Sequence, residues 1–136
     1  MIDCIFCKIV KGEIPSTKIY EDQLIIALLD IAPANKGHCL VMPKNHYETL
    51  LDLPEEDLSD LFFVAKKVSK AISLALGNKG YNILMNNDKT AGQLVPHAHV
   101  HVIPRFKGDR VNLGWRHKRY VGKEMEKIKE KIVKFL

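Results

Sequence analysis

Apolar residues follow two different rhythms along this chain. Leu58, Leu61, Phe62, Ala65, Val68, Ile72 and Ala75 recur at three- and four-residue spacing, the period of one face of an α-helix. Pro54-Glu55-Glu56-Asp57 suits the first turn of that helix, with proline near the start and acids beside the positive end of its dipole. Gly77 suits its terminator. Elsewhere the apolar runs are short and bounded by turn residues. Ile19-Tyr20, Leu24–Leu29, His38–Met42, Tyr81–Met85 and His97–Ile103 read as strands, the last two bounded by the polar run 86–92 and by Pro104. The continuously apolar Leu24–Leu29 reads as a central strand. Asp3 suits the cap of a short helix holding Ile5, Phe6 and Ile9 and ending near Gly12. Residues 121–135 read as a terminal helix with Met125, Ile128 and Ile132 on one face. Short clustered strands around one long helix predict an α+β fold with a mostly antiparallel sheet and the long helix packed on it.

The chain has 136 residues, enough for a single domain over 1–136 and hardly for two. A hydrophobic share of 46% excludes a wholly disordered chain. No apolar run reaches the roughly 18–20 residues of a membrane span. The start Met1-Ile2-Asp3-Cys4 lacks the basic and apolar regions of a secretory signal, so the expected compartment is the cytoplasm, without a membrane partner. Lys and Arg number 21 against 16 Asp and Glu, a net charge of +5 gathered largely between Arg105 and Lys134. Aromatics are only 7% and no nucleic-acid recognition motif is present, so a solvated basic surface is expected rather than specific nucleic-acid binding. Three cysteines, an odd count, argue against a disulfide framework. Cys39 lies in an apolar run and reads as a small buried hydrophobe. Cys4-x-x-Cys7 is half of a zinc site.

The chemistry concentrates in Pro96-His97-Ala98-His99-Val100-His101-Val102-Ile103. On a strand, alternate side chains share a face, so His97, His99 and His101 would stand roughly 6.6 Å apart on one side, opposite Ala98, Val100 and Val102. Two readings follow. The imidazoles could ligate a catalytic zinc with one open position. Alternatively one neutral imidazole attacks phosphorus while its neighbours orient it and stabilise phosphoryl charge. No Asp or Glu between Asp88 and Asp109 supplies the base that a metal hydrolase needs.

Gly92-Gln93-Leu94-Val95-Pro96 through Arg105 resembles the signature of the histidine-triad nucleotide hydrolases and transferases. Cys4–Val10 with Gly12–Pro15, Leu28–Ile31 and Gly37–Lys44 resemble the family's other blocks, so the likeness covers roughly residues 3–105 and leaves 106–136 as an extension. The resemblance implies an α+β homodimer whose sheet continues across the interface. It implies a purine nucleotide or nucleotide conjugate as partner and a nucleotidyl-enzyme intermediate. His99 would be the nucleophile, His101 would contact the phosphate and leaving group, and His38 would relay a proton. Asp30 would hold ribose hydroxyls. Phe6, Ile9, Leu28 and Ile31 would form the slot for the base. Asn86 and Gln93, with Leu94, Val95 and the backbone after Gln93, would hold the phosphate. Candidate substrates are nucleoside 5′-phosphoramidates, adenylated compounds and dinucleoside polyphosphates.

The same resemblance gives Cys4-x-x-Cys7 two partners, His46 and the first triad histidine, His97. Together they make a closed structural zinc site, and no organic cofactor is expected. One departure stands out. Many members carry Ser or Thr where this chain has Leu94, which removes a hydroxyl beside the leaving group. A nucleotide-binding regulator with little turnover and a zinc-dependent hydrolase are the two competing readings.

Overall fold

The computed structural model describes residues 3–136; Met1 and Ile2 of the N-terminal reading lie outside them. Five strands, β1 (Lys18–Glu21), β2 (Ile25–Leu29), β3 (Cys39–Pro43), β4 (Gly80–Leu84) and β5 (Val100–Arg105), form one sheet in the order β1-β2-β3-β5-β4. Every pairing is antiparallel. The helices are α1 (Ile5–Val10), α2 (Glu55–Leu76) and α3 (Glu124–Val133). The α+β expectation holds.

Strand alternation divides the apolar residues between two layers. Ile25, Ala27, Cys39, Val41, Val100 and Val102 point to one face and are sealed by Leu61, Val64, Ala65, Val68 and Ile72 of α2. Ile26, Leu28, Leu40 and Met42 point to the other and are covered by Cys4, Phe6 and Ile9 from the α1 segment. α2 stops at Gly77, whose φ of 73° is left-handed and costs a glycine little. Its amide closes on the Ser73 carbonyl.

Several element ends differ from expectation. Asp3 does not cap α1: Cys4 is the N-cap, without a side-chain bond, and Asp3 instead accepts from Lys8 Nζ at 2.6 Å. The terminal helix is trimmed to Glu124–Val133. The last strand begins only at Val100 and runs through Pro104 to Arg105. His97 and His99 therefore precede it, in a bend after Pro96 where the Ala98 amide donates to the Tyr47 carbonyl at 2.6 Å. Pro104 is tolerated because β5 beyond Val102 pairs only with β4.

The connection from β5 is pinned by Arg105. Its Nε and Nη2 grip Asp109 at 2.8 and 3.0 Å, and Nη1 donates to Asn82 Oδ1 at 2.9 Å. Asn35 Nδ2 donates to the same Asp109 carboxylate at 2.9 Å. Those donors hold the Asp109 carboxyl far below the usual carboxylate range, led by the Arg105 hydrogen bond. No helix among the described residues is long and apolar enough to cross a membrane.

Candidate active site and adjoining metal-ligand cluster

The three imidazoles come together on the α1 face at the sheet's centre. His99 and His101 have ring centroids 4.9 Å apart, tighter than a regular strand spacing, because the chain bends before Val100. His101 stands across from Leu40 of β3 and Leu84 of β4. Phe6 presents its ring edge-on to both His97 and His99, at 5.8 and 5.1 Å. His38, just before β3, completes the row.

Hydrogen-bond logic fixes where the protons sit. A carbonyl only accepts, so His99 donates from Nδ1 to the His97 carbonyl at 2.7 Å. Its Nε2 lone pair is then unprotonated in the neutral ring. His97 likewise donates from Nε2 to the Pro43 carbonyl at 2.8 Å, turning the Nδ1 lone pair toward the cysteines. His38 Nδ1 accepts from the Ala34 amide at 3.0 Å, so its proton is on Nε2, which donates to His101 Nδ1 at 2.9 Å. That leaves the proton of neutral His101 on Nε2. Four rings thus have assigned tautomers, and backbone groups set three of them directly.

Burial keeps these rings neutral. It pushes His97 and His101 down to about 4, assisted by neighbouring imidazoles. His38 and His99 are also lowered by burial, opposed by the Asp30 carboxylate. Asp30 Oδ2 lies 3.6 Å from His38 Nε2, while Oδ1 accepts from the Ala32 amide at 2.8 Å.

The remaining sequence-derived candidates divide. Phe6, Ile9 and Leu28 are buried members of the second core layer, whereas Ile31 is 99% exposed. Leu94 is 92% exposed, and Val95 packs against the same layer. Asn86 lies beside Gly92 across a turn. Gln93 is buried and bridges two loops: Nε2 donates to the Glu48 carbonyl at 2.7 Å, and Oε1 accepts from the Asp88 amide at 2.7 Å. Asp88 has φ 73° and ψ 156°, a region almost reserved for glycine, so that bridge holds a strained residue in the loop that leads to Gly92 and Gln93. The bridge was not legible in the sequence, nor was the Arg105–Asp109 clamp, although its four-residue spacing is a usable signal.

Cys4, Cys7, His46 and His97 bring four donor atoms within 4.8 Å of one another. Cys4 Sγ and Cys7 Sγ lie 3.5 and 3.6 Å from His97 Nδ1, and Cys7 Sγ lies 3.4 Å from His46 Nδ1. A tetrahedral zinc with ordinary Zn–S and Zn–N bonds sets N···S edges of about 3.6 Å. The four residues therefore fit that ion in both identity and spacing. Asp30, His38 and His101 also cluster within 4.8 Å. That set fits a metal poorly, because the Ala34 amide forces the His38 proton onto the nitrogen that would ligate.

A fold with a five-stranded antiparallel sheet, one long helix and a histidine row on the opposite face defines a histidine-triad architecture. The HIT domain family profile matches residues 11–108, and the chain belongs to this family. The adenosine 5′-monophosphoramidase of Schizosaccharomyces pombe is 46% identical over 115 residues, 84% of each chain. The crystal structure of a HIT family member from Bacillus subtilis has a TM-score of 0.91 at 38% identity, covering 99% of this chain and 98% of that one. A Zn-bound histidine triad family protein from Mycobacterium smegmatis has a TM-score of 0.78 at 39% identity, covering 86% and 85%.

Proposed function

We propose that this protein is a nucleotide hydrolase or nucleotidyl transferase that cleaves at the α-phosphorus of a nucleotide conjugate through a covalent bond to His99. The substrate class is nucleoside 5′-phosphoramidates and related adenylated compounds or dinucleoside polyphosphates, in line with the similar phosphoramidase. The observation that carries this reading is the 2.7 Å bond from His99 Nδ1 to the His97 carbonyl, which leaves Nε2 a neutral nucleophile.

In the first step the Nε2 lone pair forms an N–P bond and the bond from phosphorus to the leaving group breaks. The leaving group departs with the bonding electron pair. A phosphate or sulfate needs no proton, whereas an amine leaves neutral only after its nitrogen takes up one proton from solvent, which is balanced by the proton that water gives back to solvent in the second step. His99 becomes an N-phosphoryl imidazolium, and the His97 carbonyl then accepts from a charged ring. That hydrogen bond is stronger than in the ground state, so it selectively favours the transition state. His101 Nε2–H, oriented through His38, donates to phosphoryl or leaving-group oxygen. In the second step water, or another acceptor, replaces the nitrogen on phosphorus. The nucleoside monophosphate departs, the Nε2 lone pair returns, and water's proton passes to solvent.

Asp30 would accept from ribose hydroxyls, and exposed Ile31 would cover the base over a floor of Phe6, Ile9 and Leu28. Asn86, with the backbone of Leu94 and Val95, would hold the phosphate; the Gln93 side chain, already paired at both ends, would shape that loop instead. Zinc at Cys4, Cys7, His46 and His97 would be structural. It would fix the His97 peptide, whose carbonyl sets the nucleophile's tautomer. The resemblance also implies a homodimer. Edge strand β4, with partly exposed Tyr81 and Ile83, supports continuation of the sheet.

The test is turnover of adenosine 5′-phosphoramidate. His99→Ala should lose at least ~10³-fold in kcat while still binding AMP. Full activity in the variant, or AMP binding without turnover in the wild type, overturns the proposal.

A further inference from the structure

We infer that Tyr47, locked by Asp57 at the head of α2, is a positioning residue that sets the working tautomer of His99. The role rests on the reading of His99 as the nucleophile and goes beyond it, extending the machinery to the α2 side of the sheet.

One peptide group makes the connection. Its oxygen is the His97 carbonyl, which accepts from His99 Nδ1 at 2.7 Å. Its nitrogen is the Ala98 amide, which donates to the Tyr47 carbonyl at 2.6 Å. Both bonds grip one rigid plane, so turning that peptide weakens the two together. They also reinforce each other, because an amide that donates carries a more negative carbonyl oxygen. When His99 becomes a charged donor, the Tyr47 carbonyl therefore shares in holding it. His97 and Ala98 precede β5, so no sheet pairing fixes this plane.

The loop that carries the triad leans on the same segment throughout. The Pro43 carbonyl accepts from His97 Nε2, the Tyr47 carbonyl from Ala98 and the Glu48 carbonyl from Gln93 Nε2. The Leu50 amide donates to Asn87 Oδ1 at 2.7 Å. Yet residues 44–49 belong to no helix or strand, so this support has no ladder of its own. Its side chains must anchor it. His46 reaches Cys7 beside α1. Tyr47 reaches the other way: its ring packs on the core between the sheet and α2, and its hydroxyl donates to Asp57 Oδ2 at 2.7 Å. Asp57 sits in the first turn of the 22-residue α2, where the helix dipole favours a carboxylate. A hydroxyl bonded to a carboxylate is among the stronger hydrogen bonds. Phenylalanine would fill the same core space, so the hydroxyl serves the tether alone.

The experiment uses full-length, zinc-loaded protein carrying Tyr47→Phe, Asp57→Ala, both together, or Asp57→Asn. Metal content and far-UV circular dichroism are the controls. The first readout needs no substrate. Proton–nitrogen NMR of histidine-labelled protein at about pH 8, above the ordinary histidine range, reports which nitrogen of neutral His99 holds the proton. The second compares kcat on adenosine 5′-phosphoramidate with the Kd for AMP. The wild type should hold the His99 proton on Nδ1 alone. Tyr47→Phe and Asp57→Ala should each add the Nε2-protonated form and lower kcat about 10-fold, with the AMP Kd within about twofold of the wild type. The double variant should be no worse than either single one. Asp57→Asn, which still accepts from the hydroxyl, should recover most of the loss. Variants that melt earlier but keep the Nδ1 proton and the wild-type kcat make the tether merely structural and overturn the positioning role. Losses that add in the double variant, or that follow zinc content rather than the tautomer, overturn it too. A wild type that never turns over, yet shifts its His99 proton in both single variants, supports the tether and sinks the covalent reading.

Discussion

Replacing Gln93 by Ala separates a loop bridge from a phosphate ligand. The substitution removes two 2.7 Å hydrogen bonds, one to the Glu48 carbonyl and one from the Asp88 amide. Each such bond contributes about 1 kcal/mol net, and because Asp88 and Glu48 are themselves exposed, water can partner the groups that are freed. The Asp88 amide belongs to a residue held in a costly backbone conformation, so the loop also loses the restraint that maintains it. The expected loss is about 1–3 kcal/mol of folding stability. For a domain of this size that is a Tm drop of about 4–10 °C. Urea unfolding at neutral pH measures the free energy, and kinetics well below the variant's Tm measure KM and kcat. The bridge predicts a large stability loss, with kcat falling as the Asn86–Gly92 loop loses its shape. A variant with unchanged urea midpoint and a selectively raised KM would refute this reasoning and make Gln93 a direct substrate contact.

Cys7→Ser should lower bound zinc from about one per chain to well below half, with a fall in Tm that chelation of the wild type reproduces; mass spectrometry for metals reads the first and calorimetry the second, and full stability of a metal-free wild type would contradict a structural ion. Acid should act twice. Catalysis needs neutral His99, whose pKa burial lowers, so the rate should hold through pH 7 and reach half its maximum below pH ~6.5; a rate already halved at neutral pH would count against it. His101 titrates at about 4 when folded and near 6.5 when unfolded, so the unfolded chain takes up the proton first. Stability is then complete above pH ~6.5 and declines as pH falls toward 4, by about 1–2 kcal/mol once solvent screening of this partly exposed ring is allowed for, which urea midpoints at several pH values will show or deny.

How much of this was legible in the sequence depends on how local the determinant is. α2 was readable because its apolar positions keep the helical period and Gly77 ends it. The histidine row was readable because Ala98, Val100 and Val102 alternate with it. The start of the last strand was not, because the bend before Val100 depends on a hydrogen bond from Ala98 to Tyr47, fifty-odd positions away in the chain. The same holds for the tautomers: His99 looks to a neighbouring carbonyl, but His38 is set by the Ala34 amide in a loop that only the fold brings into place. Phe6, Ile9 and Leu28 show a different limit, since apolar residues that line a site and apolar residues that fill a core look alike in sequence, and their burial fits both. α3 could be read as amphipathic from its spacing, but the sequence did not show that its apolar stripe stays exposed in the fold.

The central claim is that the Nε2 of His99 bonds to phosphorus. Mass spectrometry of protein quenched within the first turnovers on an adenosine 5′-phosphoramidate tests it directly. The account predicts an adenylyl adduct on the peptide carrying His99, absent after His99→Ala. Product formation with no adduct at any quench time, or an adduct on another residue, would contradict it.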